Sequence, residues 1–314
     1  MKLVASTGKP EIAMVYILDF GHNRFVESVE AVQPPTPIEK KWVLLVSTMF
    51  GCPIRCKFCD AGGFFKGMCS KSEIMAQIDF LVVRKYPTKK IPCQEFKVQF
   101  ARMGEPTLNL NVLDALEEIP QRYQAPGLLP SLSTIAPIGC DVFLERLIEI
   151  KNKLYSQGKF QFQFSIHTTD LQLRDWLVPV RKWSFAEMAR YGDQYYKAGD
   201  RKITLNFALA RNQPVNPAVL LDWFDPQKFL IKITPLNPTH QATQSKLTSY
   251  IDIHAAEKPY EVAEEIRKAG YQVIVSIGER EENRIGSNCG QYLMSHIQAN
   301  TILEGGYVYP ITQY

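Results

Sequence analysis

The sequence has no long apolar run. The longest, Trp42 to Phe50, is interrupted by Ser47 and Thr48, and it falls far short of the roughly 20 residues that a spanning helix needs. The N-terminus, Met1-Lys2-Leu3-Val4-Ala5-Ser6, lacks the apolar core of a secretory signal. Adjacent lysines occur only at Lys40-Lys41 and Lys89-Lys90, and the net charge is +4 over 314 residues. That mild balance permits a nucleic-acid partner without demanding one. There is no internal repeat and no low-complexity tract. Cysteines number seven, an odd count, and three of them crowd into residues 52–59. Grouping of that kind reads as ligands in a reducing, cytoplasmic setting and not as a disulfide framework. No second C-x2-C pair is present to complete a tetrahedral zinc site.

What is there is Gly51-Cys52-Pro53-Ile54-Arg55-Cys56-Lys57-Phe58-Cys59, directly after an apolar stretch that reads as a buried strand. Three thiolates on one short loop suit three irons of a [4Fe–4S] cube, because soft thiolate is the usual ligand of iron–sulfur clusters. With no fourth cysteine nearby, one iron is left open. Metal ligation is therefore assigned to Cys52, Cys56 and Cys59.

The rest of the chain alternates. Two β-rich runs, 11–20 and 24–32, joined by Gly21-His22-Asn23, read as a hairpin, and Pro34, Pro35 and Pro37 mark a linker. Strands are then expected at 42–49, 95–101, 128–134, 160–166, 202–210, 228–234 and 271–277. Helices are expected between them at 71–86 (capped by Ser70 or Ser72), 109–119 (ended by Pro120), 141–155, 184–198, 217–223 and 258–269, with a long polar loop at 239–256. Alternation of this kind implies β-α units and a parallel sheet. The fold class is α/β: a partial (β/α)6 barrel with a short N-terminal β-hairpin extension. We divide it as 1–37 extension and linker, 38–295 barrel core, and 296–314 tail. The motif residues follow strand ends, where a β/α barrel does its chemistry.

Six motifs occur in one order: the cysteine loop; Met103-Gly104-Glu105-Pro106-Thr107-Leu108-Asn109; Leu132-Ser133-Thr134; Phe164-Ser165-Ile166-His167; Asn237-Pro238; and Asn288-Cys289-Gly290-Gln291. Together they resemble the RlmN/Cfr-like methylases of the radical S-adenosylmethionine (SAM) superfamily, over residues 24 to 295. The resemblance implies a [4Fe–4S] cluster and SAM as cofactors, and a flavodoxin or ferredoxin as reductant. It implies SAM contacts from Gly104, Glu105, Ser133, Ser165, Ile166, His167 and Asn237. It implies Cys289 as a methyl-carrying thiol, chosen because thiolate sulfur is nucleophilic where an electron-poor ring carbon is not. Glu30 resembles the family's general base, with Glu27 as the alternative.

Two departures shape the expected function. The family's second catalytic cysteine, seven residues before the first ligand, corresponds here to Leu45, leaving Cys69 as a candidate substitute. The family's N-terminal RNA-binding domain has no counterpart ahead of the hairpin. The leading expectation is a radical SAM methylase acting through Cys289 on an sp2 carbon of a small-molecule or nucleotide-like substrate, with RNA second and no membrane partner. The alternatives are a radical SAM enzyme that abstracts substrate hydrogen directly, and an RNA adenine methylase that resolves its crosslink differently.

Overall fold

A computed structural model describes residues 1–254, 259–299 and 303–314. The strands and helices in chain order are β1 Lys2–Lys9, β2 Ala13–Asp19, β3 Phe25–Ala31, β4 Lys41–Val46, β5 Met49–Gly51, β6 Phe65–Met68, α1 Lys71–Lys85, β7 Glu95–Phe100, α2 Asn111–Arg122, β8 Leu128–Thr134, α3 Asp141–Leu154, β9 Gln161–Ser165, α4 Leu171–Leu177, α5 Phe185–Tyr195, β10 Ile203–Leu209, α6 Pro217–Trp223, β11 Phe229–Pro235, α7 His240–Gln244, α8 Glu261–Lys268, β12 Val273–Val275, α9 Arg280–Ile285, α10 Leu293–Ala299 and β13 Ile311–Gln313.

The large sheet runs β12-β11-β10-β9-β8-β7-β4-β3-β2-β1-β13. From β4 to β12 every neighbouring pair is parallel, as the alternating pattern requires. The expected hairpin is β2–β3, and it joins the barrel by antiparallel pairing of β3 with β4. Two strands of this sheet were not anticipated, nor was the separate β5–β6 pair. β1 pairs with β2, and β13, from the region read as a tail, pairs with β1. The divisions drawn after residues 37 and 295 therefore run through one continuous sheet. Residues 255–258, which hold part of the expected polar loop and the start of the expected helix at 258, lie outside the described residues, as do 300–302 of the tail.

The strands are two-faced. Trp42, Leu44, Val46, Phe96, Val98, Phe100, Phe162, Phe164, Leu205 and Phe207 point outward into the main core under the helices. Their alternate neighbours Lys97, Gln99, Ser131, Ser133, Gln161, Gln163, Ser165, Asn206 and Lys232 point inward to a cavity. Parallel strands buried on both faces usually read as near-continuous hydrophobic runs. Here the period-2 pattern marks a polar interior.

Ser70 caps α1 in a capping box with Glu73, as its spacing indicates. Pro120 does not end α2, which runs on to Arg122. A proline at 120 has no N–H for the carbonyl of Leu116, and the Tyr155 hydroxyl donates to that carbonyl instead. Among the described residues no helix is long and apolar enough to cross a membrane.

Candidate active site

The cysteine loop is folded back on itself. β5 pairs with β6, and the Cys52 N–H donates to the Phe64 carbonyl at 3.0 Å. Gly51 has φ +84°, and a Cβ there would sit 2.0 Å from the Phe64 oxygen, so no other residue fits. Further on, the Cys59 N–H reaches the Cys56 carbonyl at 3.2 Å, and Lys57 is tied to the Leu177 carbonyl at 2.9 Å.

Cys52, Cys56 and Cys59 line one cavity of about 500 Å³, at the C-terminal ends of the strands. Burial pushes the Cys52 thiol up to about 11. Cys56 and Cys59 are raised further, first by burial and then by the neighbouring cysteines. Three such thiols cannot ionise together without a cation between them, and metal coordination deprotonates thiols outright. Among the described residues no three His, Cys, Asp or Glu side chains stand close enough to bind one metal ion. The donor set, three thiols of one loop on one cavity wall, is of the chemical kind that an iron–sulfur cluster takes.

The same cavity is lined by Gly104, Glu105, Ser133, Ser165, His167, Asn237 and Cys289. Gly104 has φ +96°, and a Cβ there would lie 2.6 Å from the Met49 side chain. The Glu105 carboxylate is buried and accepts from the Thr107 N–H at 3.1 Å, the Thr107 hydroxyl at 2.8 Å and the Ile135 N–H at 3.0 Å. It thus caps the turn Pro106–Leu108 as well as facing the cavity. Burial raises its pKa and these bonds oppose the rise. Ser133 Oγ accepts from Gln163 Nε2 at 3.1 Å. His167 has φ +69°, and its Nδ1 accepts from the Ala208 N–H at 3.2 Å. That bond leaves the proton on Nε2, and burial drives the imidazole pKa down to about 3. The Ile166 side chain, by contrast, belongs to the core on the outer face.

Cys289 is held by its backbone. Its carbonyl accepts from Asn237 Nδ2 at 2.7 Å, and the Gly290 carbonyl accepts from the Asp60 N–H at 2.8 Å. The Gly290 Cα region therefore abuts Phe58 and Cys59, which brings the sixth motif against the first. The thiol is exposed to the cavity. Burial within that concave wall raises its pKa, and Arg102 and Lys232 pull it back.

Arg102 is the residue that sequence reasoning missed. Its Nη1 donates to the Ser287 and Asn288 carbonyls at 3.0 and 2.7 Å, and its Nη2 to Gly286 at 2.7 Å. Its charge is met by Glu27, Nη2 to Oε2 2.6 Å, with both side chains fully buried. Glu27 also accepts from the Leu293 N–H at 2.7 Å. Glu30 is turned away from this set and accepts from the Tyr16 hydroxyl at 2.7 Å, because neighbouring strand positions point to opposite faces. Leu45 does line the cavity. Cys69, the substitute thiol considered above, is enclosed in the outer core with Cys93 and Cys140, so Cys69 cannot reach Cys289.

An open barrel of parallel strands with three loop cysteines at its C-terminal mouth is the architecture of a radical SAM domain. No protein-family model matches the chain. Its curated relatives do: three are each named "Probable dual-specificity RNA methyltransferase RlmN". The protein from Pelodictyon phaeoclathratiforme is 28% identical over 232 residues, 68% of this chain and 62% of that one. The protein from Chlorobium phaeobacteroides is 32% identical over 214 residues, 66% and 56%. The protein from Prochlorococcus marinus is 24% identical over 278 residues, 86% and 72%. The chain spans about 62% of the length of the first of these. Among solved structures, a radical SAM methyltransferase from Sphaerobacter thermophilus shares the fold, with a TM-score of 0.69 and 18% identity over 92% of this chain and 80% of that one. The chain is a relative of the RlmN/Cfr-like radical SAM methylases.

These names correct one expectation. Sequence reasoning put a small molecule or nucleotide first and RNA second, from the mild charge and the scarcity of basic runs. Every relative described above is named for RNA.

Proposed function

We propose that this chain is a radical SAM methylase that places a methyl group on an sp2 carbon of an RNA adenine, with Cys289 as the methyl-carrying thiol. The observation that carries the reading is that Cys289 opens into the same cavity as Cys52, Cys56 and Cys59. Cys52, Cys56 and Cys59 would hold a [4Fe–4S] cluster, and Gly104, Glu105, Ser133, Ser165, His167 and Asn237 would hold SAM. When bound, the two supply a transferable methyl group and, on one-electron reduction, a 5′-deoxyadenosyl radical.

The chain's own part is positioning and charge. The Cys289 thiol is the nucleophile, and the fields of Arg102 and Lys232 favour its thiolate. Arg102 and Asn237 fix the backbone on either side of it, which holds the sulfur in one place as a carrier requires. The Glu105 carboxylate, together with the Gly104 carbonyl, can accept from an ammonium group. Neutral His167, with its free N–H, donates and does not compete as a base. The three cysteines remote from the cavity leave Cys289 without an internal disulfide partner. Any step that frees the product from the sulfur therefore runs without a second thiol of this chain.

Anaerobic reconstitution tests the reading. The expected results are a [4Fe–4S] complement of iron and sulfide, reductive release of 5′-deoxyadenosine from SAM, and a methyl group on the Cys289 peptide. Loss of the first two would remove the radical reading. An unmodified peptide beside active SAM cleavage would favour direct hydrogen abstraction.

A further inference from the structure

Two lysine side chains stand on the inner wall of the barrel with no ion-pair partner among the described residues. Lys97, on β7, is 8% exposed, and its Nζ donates to the neutral Oε1 of Gln161 at 2.6 Å. Lys232, on β11, lines the same cavity. Among the described residues neither forms an ion pair; every pair lies elsewhere in the chain.

The charged groups whose fields reach Lys97 are Lys232, Lys41, Glu95 and Arg201, and Glu95 is already engaged by Lys41 at 3.2 Å. Those whose fields reach Lys232 are Cys289, Lys41 and Glu282, and Glu282 accepts from the Glu279 N–H at 3.2 Å. Burial lowers both amines, Lys97 to about 7. Enclosing two like charges without a partner opposes folding. A neutral residue at either position would serve the barrel better, so stability does not account for the pair.

We propose that Lys97 and Lys232 form an anion site that takes a phosphodiester of the RNA, holding the nucleotide whose base faces Cys289. The proposal rests on the RNA-methylase reading above. Lysine is a point-charge phosphate binder. The amide groups of Gln99, Gln161, Gln163 and Asn206 around the pair offer the donors and acceptors a ribose or base edge needs. These positions lie outside the set given above to SAM and the cluster, and enzymes acting on a base draw the target nucleotide into a pocket.

The test is a binding titration of a labelled single-stranded RNA 12-mer rich in adenosine against potassium chloride. It uses wild type, Lys97→Met, Lys232→Met and the exposed-lysine control Lys90→Met. Each barrel variant is expected to weaken binding about tenfold or more and to lower the salt slope by about one. The control keeps wild-type affinity. Thermal melts of the barrel variants should not fall below wild type, because an unpaired buried charge has been removed; if one does, the Lys97→Gln and Lys232→Gln pair carries the same comparison. Unchanged affinity and slope in the barrel variants would overturn the proposal while leaving the RNA reading intact. Failure of wild type itself to bind the RNA would overturn both, and it would be evident before any variant was compared.

Discussion

Arg102 and Glu27 form a fully buried ion pair, Nη2 to Oε2 2.6 Å, and the same guanidinium donates to the carbonyls of the three residues before Cys289. The pair joins β3, the end of β7 and the Cys289 loop. Arg102→Ala would leave Glu27 buried and uncompensated, a change that costs about 3–5 kcal/mol. We expect a lower denaturation midpoint together with reduced methyl occupancy of Cys289 on peptide mass analysis. Glu27→Gln, which keeps hydrogen-bonding atoms, should destabilise less. Equal effects of the two would mean that charge pairing is not what holds the loop.

Cys289→Ala separates the two halves of the proposed chemistry. Iron and sulfide content and 5′-deoxyadenosine release should stay near wild type, while methyl transfer to RNA falls below detection, because no other thiol lines the cavity beyond the three loop cysteines. Cys56→Ala should instead lose the cluster and both activities. Visible absorption, iron analysis and nucleoside chromatography read the difference.

Gly104→Ala adds a Cβ at φ +96° and within 2.6 Å of Met49. Strain of this type costs about 1–3 kcal/mol. The expected outcome is a lower melting temperature and weaker SAM binding by equilibrium dialysis, with cluster content retained. Loss of neither stability nor SAM binding would remove Gly104 from the site.

His167 gives a pH dependence with a definite sign. Its folded pKa, pushed down to about 3 by burial with Arg174 adding to the effect, lies below the ordinary value. The unfolded chain takes up a proton between about pH 6.5 and 3 where the folded chain does not. Stability is thus fully present above the ordinary histidine range and falls as pH drops through it, by up to about 1.4 kcal/mol per unit. His167→Asn should flatten that part of a pH–stability profile measured by urea unfolding; an unchanged slope would place the proton elsewhere.

The parallel order β4, β7, β8, β9, β10, β11 was legible because each strand is apolar on its outer face and each helix is punctuated by caps, glycine or proline. The cysteine loop and the Gly104, Ser133 and Ser165 positions were legible from spacing and strand ends. β13 was not, because its partner β1 lies hundreds of residues away, and β1 was not, because its polar and small residues Ser6, Thr7 and Gly8 weaken the apolar pattern although it pairs with the adjacent β2. Arg102 was passed over as part of a turn motif, although a charged residue between Phe100 and Gly104 on a buried strand end needs a partner. The inward Lys97 and glutamines were visible as alternation in Phe96-Lys97-Val98-Gln99-Phe100 and Gln161-Phe162-Gln163-Phe164-Ser165, although a single lysine on a strand forms no basic run. Glu30 was favoured on its sequence context and Glu27 was the alternative raised by spacing; the two lie on opposite faces of β3, Glu27 beside Arg102 and Glu30 beside Tyr16.

The most direct test of the whole reading is nucleoside mass spectrometry after anaerobic incubation of reconstituted protein with methyl-labelled SAM, dithionite and bulk RNA. The account requires label in a C-methylated adenosine, lost in Cys289→Ala. Release of 5′-deoxyadenosine with no labelled nucleoside and no methyl on Cys289 would contradict it.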